Sequence, residues 1–341
     1  KGILDQVEGT TRHTFSYRPR PNKLVALFFF FCVQCLLFWR MLRTKDKKGS
    51  VVYVNTLLPF GAILGARLAG MPVVCHVHEV SVKPVILNRF LKWVARKFAQ
   101  RLIFVSKFVA EESQIRHAHT EVIPNALSPE FCNGLLPRPS RPAGPFRVLM
   151  LASIRAYKGL RPFAELARRL PEMEFELVLN GTQEAADAFF AGEDLPQNLT
   201  IWPAQSDVHP FYARAHAVLN LSLPDGWVET FGMTALEAMV YGIPVIVPEV
   251  GGIAEVVEHE VSGFQCSAYD LEGVVGHLRD LEGDLELYAR MSEAAKLRAG
   301  GYRFSEFVAG VEGCLGGFRR SQIGTSLPPR DSSTTKTAPT T

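Results

Sequence analysis

Glu229-Thr-Phe-Gly-Met-Thr-Ala-Leu-Glu237, followed at once by the strand-like run Pro244-Val-Ile-Val247, is the stretch from which this chain is best read. Met233 to Val240 is rich in strong helix formers, Gly242 stands where a helix C′ residue belongs, and Pro244 forbids continuation. The first turn of that helix, near Phe231-Gly232, presents backbone N–H groups with no partner in the helix, and these favour an anion such as phosphate. Glu229 lies just outside the turn and Glu237 about two turns in. One acid can reach hydroxyls in front of the helix and the other can reach hydroxyls beside it. Hydroxyls at both ends with a diphosphate between them describe a nucleotide sugar.

The chain has 341 residues, enough for two domains that each bury a core. Hydrophobic residues at 47% and charged ones at 21% are those of an ordinary globular protein. A net charge of +3, without a basic stripe interleaved with aromatics, excludes nucleic acid and leaves room for a weak preference for anionic membrane. Six cysteines are scattered. Cys32-x-x-Cys35 has metal or redox spacing but lies in an apolar run with no second pair, so buried free thiols in a reducing compartment are expected. Asn198-Leu-Thr200 and Asn220-Leu-Ser222 match glycosylation sequons by chance beside expected strands.

Leu24 to Trp39 is apolar except for Gln34 and is flanked by Lys23, Arg40 and Arg43. Sixteen residues fall short of the roughly 20 that span a bilayer. The run reads as a core or domain-surface helix; the alternative is a helix lying in a membrane interface with Phe28 to Phe31 as its wedge. From residue 51 strands and helices alternate. Strands are expected at 51–54, 72–77, 102–105 and 121–123, with helices over 60–69, 88–100 and 108–115. Pro137 to Pro145 holds four prolines and reads as a linker, after which strands are expected at 147–151, 175–179, 200–202, 217–221 and 245–247. Apolar strands separated by helices imply parallel sheets covered on both faces, and two such domains leave a cleft at the carboxyl ends of their strands.

The expected organisation is an N-terminal domain over 1–136 whose opening strand is missing, so that the chain looks truncated, then a linker over 137–145 and a second domain over 146–300. A returning helix over 301–318 and a disordered tail over 319–341 complete it. Ser153-Ile-Arg155-Ala-Tyr-Lys158-Gly159 ends a strand before a helix, where Arg155 and Lys158 can both reach phosphate oxygens. In Asn180-Gly181-Thr182 a glycine after a strand lets backbone approach a ligand. Gly251-Gly252, within Glu249 to Glu255, is the next strand-end turn, as readily a plain connection as a ligand contact. His76 and His78 share one face of a strand end.

The 229–237 run, with Leu-Glu-Ala-Met at 236–239 and Gly-Ile-Pro-Val at 242–245, resembles the E-x7-E motif of family 4 glycosyltransferases, which are retaining enzymes of GT-B fold. The resemblance covers about Val51 to Phe318. It implies an α/β fold of two Rossmann-like doubly wound domains, the first taking the acceptor and the second the donor. Lys158-Gly159 matches the family's R-x4-K-G element; Ser153 stands at the arginine position and Arg155 two residues later. The resemblance implies catalytic roles for Glu229, Lys158, Arg155 and His78. It implies donor binding by Glu237, Gly181, Thr230, Phe231, Gly232, Met233, Gly251 and Gly252. Ser106-Lys107 and Pro124-Asn125-Ala126 match further landmarks, with Asn125 read as structural.

With no Asp-x-Asp in the sequence, metal-independent catalysis without a cofactor is expected. The expected function is transfer of a sugar from a nucleoside-diphosphate sugar to a hydroxyl acceptor in cell-envelope or exopolysaccharide synthesis. The expected setting is the cytoplasm, with peripheral membrane contact through 24–39. A sugar-nucleotide epimerase and a non-catalytic nucleotide-sugar-binding fragment are the alternatives.

Overall fold

A computed structural model describes residues 23–323. The expected missing strand falls in residues 1–22 and most of the expected tail in 324–341, both outside the described residues. After a long helix, α1 (Lys23–Arg43), comes a four-stranded parallel sheet of β1 (Val52–Val54), β2 (Val73–Val77), β3 (Arg101–Phe104) and β4 (Thr120–Val122), laid side by side in sequence order. Helices α2 (Phe60–Leu68), α3 (Val85–Phe98) and α4 (Lys107–Glu112) make the crossovers. Every residue of β2 is buried, because successive side chains feed opposite faces and both faces are covered. Val73, Cys75 and Val77 pack with Ile63 of α2 and Leu91 of α3.

The second sheet has six parallel strands. They are β5 (Arg147–Ser153), β6 (Glu174–Asn180), β7 (Leu199–Trp202), β8 (Ala217–Leu219), β9 (Val245–Val247) and β10 (Gly263–Gln265), in the order β10-β9-β8-β5-β6-β7. Among the described residues after α5 (Pro129–Asn133) the α-helices are α6 (Leu160–Arg169), α7 (Gln183–Phe189), α8 (His209–Arg214), α9 (Met233–Val240), α10 (Gly252–Val256), α11 (Leu271–Gly283), α12 (Leu285–Ala299) and α13 (Phe304–Ile323). α6 shows why the strands stay dry: Leu160, Phe163 and Ala167 are buried on one side, and the Phe163 ring meets Phe175 of β6 edge-on at 5.3 Å. α13 returns to the first sheet, where Cys314, Phe307 and Val311 cover Val74 and Ile103, the face of that sheet away from α2 and α3.

Several expectations need correction. β10 was not anticipated. Its Gly263 reads as a turn residue, but a Cβ there would lie 2.4 Å from Val245 O, so close strand approach requires the glycine. α13 starts at Phe304 and runs through Ile323, into the stretch expected to be tail. The boundary between domains lies earlier than the prolines. Leu127 is already in the second domain's core, and Arg138 donates to Ala215 O at 2.9 Å and to the Tyr288 hydroxyl at 2.8 Å. The proline-rich segment is therefore pinned to the second domain. Cys35 and Cys132 are exposed, against the expectation of buried thiols. Asn198 is committed internally, donating through Nδ2 to the carbonyls of Ala167, Leu170 and Met173 at 2.8–2.9 Å.

α1 departs furthest from a core helix. It has 21 residues, long and apolar enough by length and composition to cross a membrane, and most of its surface is open, with Phe28, Phe31, Leu36 and Trp39 exposed. Its one polar interruption is the buried residue. Gln34 is 4% exposed, and its Oε1 accepts the Gly61 N–H at 3.0 Å. Gly61 and Gly65, one turn apart on α2, let the two helices touch backbone to backbone: a Cβ at either would lie 2.0 Å from Gln34 O or 2.5 Å from Phe38 O.

His216 holds the proline-rich segment against β5. Its Nδ1 accepts Arg147 N–H at 2.9 Å, so Nε2 carries the proton and donates to Pro142 O at 3.0 Å. Burial, reinforced by Arg141, Arg138 and Arg147 nearby, lowers its pKa from 6.5 to about 4. The folded state thus binds fewer protons than the unfolded one across that interval, and the stability present above pH 6.5 is lost as pH falls toward about 4. His216→Gln is expected to decline less steeply than the parent in thermal melts between pH 6.5 and 4.5, a difference that cancels the acid titration of carboxylates common to both.

Candidate active site

β5 and β8 are neighbours, yet the chain leaves them toward opposite sides of the sheet. Such a reversal opens a crevice outside the carboxyl ends of the strands. A cavity of about 460 Å³ lies there, lined by Ser153 at the end of β5 and Lys158 after it, Asn180 at the end of β6, Asn220 and Ser222 after β8, and the Glu229–Thr234 segment.

Local geometry explains each placement. Gly159 has φ +74° and no room for a Cβ, which would meet Leu221 O at 2.1 Å, so the loop after β5 lies directly on the end of β8. Lys158 is thereby brought to Glu229. The two form an ion pair with 18% and 16% of their side chains exposed, and Ser222 Oγ donates to the same Glu229 oxygen at 2.8 Å. Tyr157 and Trp227 stack on each other with Lys158 Nζ about 6 Å from both ring centres.

α9 begins as expected at Met233, after Gly232 at φ +98°, with no side chain capping it. Its first residues line the cavity. The far end is a complete Schellman closure, with Gly242 N–H on Met239 O at 2.9 Å and Ile243 N–H on Ala238 O at 3.1 Å. Thr230, Phe231, Gly232 and Met233 all border the cavity, although the Phe231 ring itself packs into the core against Tyr302.

Other expected residues stand apart from the cavity lining. Arg155 is exposed on the loop before the 3-10 turn Ala156–Lys158. Gly181 adjoins Asn180 but faces Ile154, where a Cβ would lie 2.4 Å from Cδ1. Glu237 accepts the Tyr212 hydroxyl at 2.6 Å, and its burial raises its pKa. Gly251 and Gly252 support the site from behind. Gly252 N–H donates to Glu229 O at 2.8 Å, and a Cβ on Gly252 would sit 1.9 Å from Thr230 O. His78 lies in the first domain, where Nε2 meets Asn55 Oδ1 at 2.7 Å and burial lowers its pKa. Beside it His76, with a pKa lowered to about 3 by burial and then by His78, takes its Nδ1 contact from Tyr53 at 2.5 Å.

Sequence reasoning missed Asn220, Ser222 and Tyr212. Asn220 and Ser222 were set aside as a chance sequon, although their place at a strand end in a doubly wound sheet marks them. Tyr212 lies on α8, with no signal in the sequence. Asn125, expected to be structural, lines the cavity.

Residues 137–298 match the family described as glycosyl transferases group 1, and residues 4–131 match glycosyltransferase family 4. Among curated relatives, an uncharacterised glycosyltransferase of Haemophilus influenzae is 25% identical over 49% of this chain and 48% of its own length. A D-inositol 3-phosphate glycosyltransferase of Segniliparus rotundus is 28% identical over 53% of this chain and 41% of its own. The aligned part is thus less than half the length of these relatives. Among solved structures, Anabaena HepE in complex with UDP superposes with a TM-score of 0.70 at 19% identity, covering 84% of this chain and 82% of that one. A glycosyltransferase of Rickettsia africae gives 0.68 at 16%, covering 92% and 86%. With both halves matched in sequence and the paired parallel sheets shared with these GT-B structures, the chain belongs to the family 4, group 1 glycosyltransferases.

Proposed function

We propose that the protein transfers a sugar from a nucleoside-diphosphate sugar to a hydroxyl acceptor with retention at the anomeric carbon. The observation that carries this reading is the uncapped start of α9 opening into the cavity, with the Lys158–Glu229 pair on its wall. A diphosphate at the helix start would draw Lys158 toward its oxygens and release Glu229 to accept from hexose hydroxyls. As the anomeric C–O bond breaks, charge grows on the departing phosphate, where Lys158 and the α9 amides stabilise it and Arg155 joins them only by turning in from its exposed loop. The acceptor oxygen bonds to the same face, and its proton passes to the departing phosphate oxygen. Glu237, held by Tyr212, takes the ribose, and His78 faces the sugars from the first domain. UDP is the first probe to use, since the Anabaena neighbour is described with UDP.

The same reading places the enzyme against the cytoplasmic face of a membrane, where it adds sugar to a lipid-linked or envelope glycan. Aromatic contacts run unbroken from Phe31 to Phe60 (5.8 Å), Phe90 (5.0 Å) and Trp93 (6.1 Å), joining α1 to α3. α3 carries Arg89, Lys92, Arg96 and Lys97 with no acidic residue, and Val85 and Ile86 at its start are exposed. Apolar side chains edged by cations suit an anionic lipid surface.

Glu229→Gln and Lys158→Ala are expected to keep the fold by circular dichroism and to lower conversion of UDP-glucose by about 10²-fold or more. Near-parental rates would remove the residue from the site. Glu237→Ala and Tyr212→Phe are expected to weaken UDP in calorimetry, Tyr212→Phe by less. Chelation with EDTA is expected to leave turnover unchanged; a loss restored by a divalent cation would replace the cationic scheme. Formation of an epimer without transfer would assign the site to sugar-nucleotide isomerisation. Sedimentation with phosphatidylglycerol vesicles but not phosphatidylcholine vesicles, weakened by salt, is the expected membrane result.

A further inference from the structure

α4 starts in one domain and is completed from the other. The amides of its first turn have no partners within the helix. Ser106, 2% exposed, accepts Val109 N–H through Oγ at 3.1 Å. The amides of Lys107 and Phe108 instead donate to the two carboxylate oxygens of Glu255, on α10 of the second domain, at 3.0 and 2.5 Å. In return, the Ser106 hydroxyl donates across the cleft to Thr230 O at 2.8 Å. Each domain therefore supplies what the other lacks.

The bases of this exchange are rigid. Arg298 of α12 donates to Glu255 O at 2.6 Å and to Val256 O at 2.9 Å, which fixes the main chain of α10 while leaving the Glu255 carboxylate to reach across. Gly252 lies between the partners: a Cβ there would fall 1.9 Å from Thr230 O and 2.6 Å from Ser106 Oγ. Thr230 borders the cavity and follows Glu229 directly. Opening the cleft would strip two amides and one carbonyl of their partners and leave the main chain that carries Glu229 held by Gly252 N–H from its own domain.

We infer that Ser106 and Glu255 are positioning residues that complete the donor site only when the domains close. The Ser106–Thr230 bond sets the Glu229 main chain, and the Glu255 grip on α4 keeps Ser106 within reach. The inference rests on the reading that the 229–233 segment binds the donor.

The test combines amide hydrogen exchange with kinetics on the full chain. In the parent, UDP is expected to slow exchange at Lys107 and Phe108 by about two- to threefold, the same factor by which closure strengthens UDP, although both lie outside the donor domain, and Glu255→Ala is expected to abolish that protection. Ser106→Ala and Glu255→Ala are expected to lower kcat for UDP-glucose by about tenfold or more with UDP affinity within about threefold of the parent. Ser106→Asp keeps an N-cap acceptor but has no proton for Thr230 O, so it is expected to fall with the alanine variant. Parental kcat in Ser106→Asp would reduce Ser106 to a helix cap and overturn the proposal. So would kcat and UDP affinity falling in parallel, or exchange at Lys107 and Phe108 indifferent to Glu255→Ala. If the parent itself neither binds UDP nor turns over, the donor reading fails, while exchange in Glu255→Ala still decides whether α4 is capped from the other domain.

Discussion

A parallel sheet whose connections reverse direction at its middle cannot close over its own strand ends, and the rest of this molecule is arranged around that opening. β5 and β8 lie side by side while their loops depart to opposite sides, so the ends of both face a common hollow. Much of what is placed there comes from strand ends, so Ser153, Asn180, Asn220, Ser222 and the Lys158–Glu229 pair line the cavity beside apolar side chains such as Met150, Val178 and Leu221. Gly159 is indispensable because it lets one loop lie on another strand's end, and the ion pair follows from that contact. The Lys158–Glu229 pair is largely removed from water, so its attraction is weakly screened. A ligand must offer Lys158 charge at least as good as the carboxylate it displaces.

The two domains are joined by more than proximity. An acid from the second satisfies amides at the start of a helix in the first, while a serine hydroxyl from that helix cap satisfies a carbonyl next to Glu229. Backbone groups buried without partners are costly. The interface therefore favours one relative placement of the domains and ties that placement to the shape of the site. The crossing helix α13 adds an apolar seam on the far face of the first sheet.

Much of this was legible in the residues. Gly242 and Pro244 fixed the end of α9, Gly232 its start, and the pairing of Lys158 with Gly159 marked the loop after β5, because these local conformations are available to few residue types. Legibility failed where the signal was not local. β10 is three residues long and opens with a glycine, and α1 could be read as a core or domain-surface helix or as an interfacial one because apolar composition does not say which face is covered. Within α1 the single glutamine is the buried residue, since it answers an amide on α2 that no periodicity could announce.

The sequence by itself determined the alternation of most strands and helices and which turns needed glycine, since dihedral preference and hydrophobic period act over a few residues. Tertiary structure alone decided that Glu229 meets Lys158, that Glu237 turns to Tyr212, and that Glu255 serves a helix in the other domain. Those partners lie far apart in the chain, and only the packing of strands and helices into sheets and domains brings their charges and hydrogen-bonding groups within reach.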